Sequence, residues 1–121
     1  MTQHGGLDEG RWAQFDLDQQ VLMIGNEMNR GLALAHANRI QSLRLGYERV
    51  LRLVDLTVGL GIRPTLRKEL LRWRGLVADL FLAEDVDPAR HESVFRILLQ
   101  LRPLASRQIP HLLGPSGPGS R

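Results

Sequence analysis

Apolar residues recur along this chain at intervals of three and four, the spacing that lines one face of a helix. The pattern is densest from Ile62 to Glu84. Leu66, Leu70, Trp73, Val77 and Leu80 form one stripe there, and Leu71, Leu76, Phe81 and Leu82 widen it. A helix apolar over that much of its circumference packs on more than one side. An earlier stripe, Leu17, Val21, Ile24, Met28, Leu32 and Ala35, predicts a helix from an Asp16 or Asp18 cap to about Ala37. Another, Ile40, Leu43, Tyr47, Val50, Leu51 and Val54, predicts a helix ended by Gly59 and Gly61, with Leu45, Leu53 and Leu56 off its inner face. Pro64 suits the first turn of the dense helix, and Thr65 caps it if the start falls one residue later. Asp87-Pro88 is a further start signal, an acid cap followed by proline, with Val94, Ile97, Leu98 and Leu101 inward. Pro103 ends or kinks that helix, and Leu104 to Leu113 holds one short helical piece interrupted by Pro110.

The segment His36-Ala37-Asn38-Arg39 breaks the stripe and is the expected turn between the first two helices. The competing reading is one helix running unbroken to Val58. No stretch alternates with the period of a strand. The expected fold is all-α, an antiparallel four-helix bundle or two stacked helical hairpins. Residues 1–15 read as a flexible arm whose Trp12 and Phe15 anchor its end, residues 16–113 as the helical domain, and residues 114–121 as a disordered tail. Gly25 and Gly31 inside the first long helix each cost up to about 1 kcal/mol relative to alanine, and their expected use is close approach of a neighbouring helix.

Charge changes the picture most in the dense helix. Arg63, Arg67, Lys68, Arg72 and Arg74 crowd its first half against one acid, Glu69, while Asp79, Glu84, Asp85 and Asp87 crowd its end. A helix dipole favours the reverse, at a few tenths of a kcal/mol or so per exposed charge. These cations therefore answer something outside the helix. One reading is a phosphate-binding face for RNA or DNA formed by Arg63, Arg67, Lys68, Arg72 and Arg74. The other is ion pairing with acids such as Asp79, Glu84 or Asp85 on a neighbouring helix or subunit. Over the whole chain, residues 1–58 carry a net charge of −1 and residues 59–121 a net of +4. Fifteen of the sixteen cations are arginine, which suits bidentate recognition of phosphate or carboxylate; a codon bias toward arginine produces the same count.

Composition excludes several classes. At 121 residues the chain is one domain, small enough for stability to lean on assembly. It has no cysteine, which rules out disulfides and thiolate metal sites and fits a reducing compartment. The polar, acidic N-terminus MTQHGGLDEG is unlike a signal peptide, and no apolar run approaches a membrane span, so a cytoplasmic location without membrane contact is expected. His4, His36, His91 and His111 lack partners at ligand spacing, and no phosphate loop or nucleophile elbow is present, so no metal or cofactor is expected.

The run Tyr47-Glu48-Arg49-Val50-Leu51-Arg52-Leu53, with Gly25 in the preceding helix, resembles one degenerate tetratricopeptide hairpin over about residues 20–58, which implies protein–protein interaction. In size, helix order and basic character the chain is similar to the four-helix-bundle accessory proteins of diversity-generating retroelements, which assemble as rings around a reverse transcriptase and nucleic acid. Arg30 and His36 have the Arg-x5-His spacing of HEPN ribonucleases, where histidine works as acid or base and arginine holds the phosphate. Here Gly31 follows the arginine instead of that family's polar residue. The reading taken forward is a non-catalytic helical interaction or accessory module that forms a homo-oligomer or binds an obligate partner protein, with salt-sensitive RNA or DNA binding as a further property. The alternative is a metal-independent ribonuclease using Arg30 and His36.

Overall fold

A computed structural model describes residues 9–114. Among them the chain is all-α, in seven helical segments: α1 (Glu9–Trp12), α2 (Leu17–His36), α3 (Ile40–Val58), α4 (Pro64–Leu82), α5 (Pro88–Gln100), α6 (Pro103–Ser106) and α7 (Ile109–Leu112). The boundaries follow from local chemistry. Asp16 starts α2 through a reciprocal cap: its carboxylate accepts from the Gln19 N–H at 2.8 Å, and the Gln19 side chain accepts from the Asp16 N–H at 2.9 Å. The turn after α2 is a Schellman closure. Asn38 adopts φ 56°, a left-handed conformation that asparagine tolerates, and the N–H of Arg39 reaches back to the Leu34 carbonyl at 2.9 Å. That closure makes α2 and α3 an antiparallel hairpin rather than one long rod. Gly61, at φ 73°, turns the chain into α4. Asp87 caps α5 by accepting from the Ala89 N–H at 3.0 Å, ahead of Pro88.

The four long helices form a bundle. α2 packs on α3 and α5, α3 packs on α4, and α4 leans more lightly on α5. Its core contains Val21, Ile24, Met28, Leu43, Tyr47, Val54, Leu70, Trp73, Val77 and Leu98, all buried. Trp73 also ties α4 to α5, its indole N–H donating to the Val94 carbonyl at 2.8 Å. Part of the segment read as an arm is built into the fold. Residues 1–8 lie outside the described residues, but Trp12 is fully buried and donates to the Thr57 hydroxyl at 2.8 Å. Gln20 holds the same segment from α2, donating to the Trp12 and Phe15 carbonyls. At the other end, residues 115–121 of the expected tail lie outside the described residues.

Several positions differ from the sequence reading. Ile97, expected inward, is 40% exposed; the inner face of α5 is His91, Val94, Phe95, Leu98 and Leu99. Leu53, expected off the inner face of α3, is buried, because α3 packs on α1 as well as on α2 and α4. α4 ends at Leu82, two residues before Glu84, where Arg44 of α3 donates to the Ala83 carbonyl at 2.8 Å. Pro103 starts α6, and Pro110 sits in the first turn of α7 instead of interrupting a helix.

The two glycines of α2 divide. A Cβ on Gly31 would lie 2.7 Å from Cε1 of His91, a buried ring with little room to retreat, whereas one on Gly25 would meet Leu99 and Phe95 at an ordinary 3.5 Å. Gly31→Ala is therefore expected to lower unfolding stability by roughly 1–3 kcal/mol. Gly25→Ala is expected to leave it unchanged or raise it by up to about 1 kcal/mol. Urea titration of the two variants checks the contrast; equal effects would contradict it.

Candidate interaction face

α4 buries one stripe, Leu70, Trp73, Val77 and Leu80, with Leu66 half-buried beside it. The opposite side of the same helix faces solvent. Leu71 is 47% and Leu82 76% exposed, and a Cβ on Gly75 would meet nothing within 4 Å. Of the residues expected to widen the apolar stripe, Leu76 and Phe81 are half-buried and pack against the core, while Leu71 and Leu82 remain exposed.

The cations sort into two groups. Arg74 is engaged within the chain: Nε donates to Oδ1 of Asp55 at 2.7 Å and Nη2 to Oδ2 at 3.1 Å, a bidentate pair joining α4 to α3. The hydrogen bond to Asp55 raises the Arg74 pKa above its ordinary value. Arg63, Arg67, Lys68 and Arg72 are exposed and make no ion pair among the described residues. None of the five pairs with Asp79, Glu84 or Asp85 inside the chain. Trp73 is buried and its N–H is used, so it is no platform for stacking on bases. At the start of α4 a cavity of about 520 Å³ opens toward the end of α5, lined by Ile62, Arg63, Leu66, Glu69, Leu101 and Arg102. Arg102 is held there by Asp18 at 2.7 Å, which ties the end of α5 to the start of α2.

The ribonuclease-like pair is not gathered into this cavity. Arg30 is exposed and pairs with Glu27 at 3.4 Å, while Arg49 takes the same carboxylate at 3.1 Å. His36 is the last residue of α2. Six residues of helix turn the two side chains about 120° apart around the axis, and they share no hydrogen-bond partner. Among the described residues, no group of three or more His, Asp or Glu is placed to hold a metal ion, and no helix is long and apolar enough to cross a membrane.

The polar centre of the molecule is a residue that spacing did not single out. His91 is fully buried where α2, α3 and α5 meet. Its Nε2 lies 2.7 Å from the Met28 carbonyl oxygen and its Nδ1 2.7 Å from the Tyr47 hydroxyl. A carbonyl can only accept, so Nε2 carries the proton and the Tyr47 O–H donates to Nδ1. Burial lowers the His91 pKa; the Met28 hydrogen bond opposes this, and the charge of His36 adds to it. Burial likewise pushes the Tyr47 hydroxyl well above the ordinary phenol range. Both rings are neutral and fully satisfied, an arrangement that positions helices without leaving a reactive group exposed.

No protein-family model, curated protein or solved structure matches this chain.

Because the folded pKa of His91 lies below its unfolded value near 6.5, the unfolded chain binds the extra proton. Stability is then complete above about pH 6.5 and falls as the pH drops below it, by up to about 1.4 kcal/mol per pH unit until the folded pKa is reached. Urea unfolding between pH 7.5 and 5 is expected to show this slope in the wild type and a shallower one in His91→Gln. Tyr47→Phe, which leaves the buried Nδ1 without its donor, is expected to cost about 1–3 kcal/mol at neutral pH. Identical pH slopes with and without His91 would refute its neutral role.

Proposed function

We propose that this chain is a non-catalytic helical interaction module whose binding surface is the outer face of α4. The observation that carries the reading is the pairing of exposed Leu71 and Leu82 with cations that no acid in the described chain answers. Apolar side chains rimmed by charge on one helix face are what a partner surface covers. The same arrangement explains why the cations sit at the helix end that the dipole disfavours: their counter-charges belong to the partner. The placement of Arg30 and His36 favours this reading over a ribonuclease, since Arg30 is paired with Glu27 and the two residues point to different sides of α2.

A second reading is favoured by the four cations left unpaired over the first half of α4. Arg63, Arg67, Lys68 and Arg72 suit a polyanion, and binding to RNA or DNA would then be salt-sensitive and indifferent to sequence. Arg74 leaves that set, since its guanidinium is committed to Asp55.

Two experiments separate these outcomes. A photo-reactive phenylalanine analogue at position 71 is expected to yield crosslinked protein adducts in cells, and the same analogue at exposed Ser93 of α5 is expected to yield few. Equal yields from both positions would reject α4 as the binding face. In a gel-shift titration at two salt concentrations, the wild type is expected to bind RNA and DNA negligibly. Tight binding whose log–log salt slope drops by roughly two in Arg67→Ala/Lys68→Ala would install the polyanion reading instead.

A further inference from the structure

We infer that the occupant of the α4 face is a second copy of this chain, docked antiparallel through α4 about a two-fold axis beside Leu76 and Val77. The inference rests on the α4 reading above and names its partner. Leu71, Gly75, Ala78 and Leu82 follow one another at +4, +3 and +4, so they form one stripe on the side of α4 away from its buried residues. Leu71, Gly75 and Leu82 are exposed and Ala78 is half-buried. The stripe has large residues at its ends and small ones at its middle. Placed antiparallel on itself, it sets Leu71 against the partner's Leu82 and Gly75 against the partner's Ala78, so each leucine meets a leucine and the backbones close together at the centre.

Charge fixes the direction. Arg72 and Asp79 are both exposed and lie seven residues apart, on the same flank of the stripe. In an antiparallel helix pair like flanks meet, so Arg72 of one copy faces the partner's Asp79, and the symmetry makes the pair twice. Lys68 comes opposite the partner's Asp85, and Arg67 approaches the same acidic end. A parallel pair would instead bring the basic first halves of the two α4 helices side by side. The charge order that a single α4 dipole disfavours is therefore self-complementary in an antiparallel dimer. Arg74 takes no part, because Asp55 of its own chain already holds it. One helix pair makes a small interface, which predicts association in the micromolar range.

The test is sedimentation of the full chain across micromolar concentrations. The wild type is expected to dimerise reversibly. Arg72→Asp alone sets acid against acid across the axis, and Asp79→Arg alone sets base against base; each is expected to weaken the dimer by roughly tenfold or more. The double variant Arg72→Asp/Asp79→Arg is expected to recover the homodimer. An equimolar mixture of the two single variants is expected to form a heterodimer, an outcome that a merely structural role for either residue would not produce. Both positions are exposed, and unchanged helical circular dichroism confirms that the variants fold. A monomer at all concentrations, or a dimer indifferent to both single substitutions, overturns the inference. If position 71 still crosslinks another protein while the chain sediments as a monomer, the dimer fails and the α4 reading stands; if position 71 crosslinks nothing, both fail.

Discussion

The fold depends on one buried imidazole. His91 projects from α5 into the seam between α2 and α3, where it donates to the Met28 carbonyl and accepts from the Tyr47 hydroxyl. One ring thereby joins three helices, and it reaches that position only because Gly31 has no side chain to block it. A buried imidazole without both partners would cost a few kcal/mol, so the network specifies register as well as stability. α2 cannot slide along α5 without giving up a carbonyl acceptor, and α3 cannot rotate without withdrawing Tyr47. Trp12 plays a parallel part at the other end of α3, where its indole N–H and the Thr57 hydroxyl join α1 to α3 and Gln20 closes the junction from α2.

The four long helices and their order were legible in the sequence because each rests on local chemistry, whereas the short α1 fell in the segment read as an arm. Asp16 and Asp87 announce caps, Pro64 and Pro88 announce first turns, and the apolar spacing marks each inner face. The hairpin between α2 and α3 was legible only as one of two readings, since Asn38 carries a weaker turn signal than glycine and its left-handed φ shows only in the folded chain. His91 was read as a lone histidine. Its partners lie 44 and 63 residues away in sequence, so no local window connects them. Gly25 and Gly31 were both read for close approach of a neighbouring helix; the tight approach occurs only at Gly31, where it is made by the His91 ring of α5. Ile97 was misplaced because an inner face is set by which neighbours a helix has; Leu53, off the inner stripe of α3, is buried because α3 also receives α1.

The candidate site was partly legible in the same way. The reversed charge order of α4 is visible in the sequence, and so is its excess of leucine. Which cation is committed and which is free is not. Asp55 lies on α3, 19 residues before Arg74, and it was not among the acids considered as partners. α4 differs from its neighbours in what it lacks. α2, α3 and α5 share the histidine network, whereas α4 is held by one apolar stripe, the Trp73 hydrogen bond to α5, the Arg44 hydrogen bond at its end and the Arg74–Asp55 pair. Exposed apolar residues also occur on α3 and α5, at Leu45 and Ile97. What distinguishes the outer face of α4 is the run Leu71, Gly75 and Leu82 flanked by Arg67, Lys68 and Arg72. That face is set against a side of the bundle where the His91 network positions α2, α3 and α5.

Hydrogen exchange measured by mass spectrometry at low and high protein concentration tests that division most directly. Amides of α2, α3 and α5 should be strongly protected at both concentrations, because their opening requires breaking the His91 network. Amides of α4 should exchange faster in the dilute protein and gain protection on concentration, as the outer face becomes covered. Equal protection of α4 and α3 in the dilute protein, or a concentration-dependent gain confined to α2 or α5, would contradict the division of the bundle into a closed core and an open α4 face.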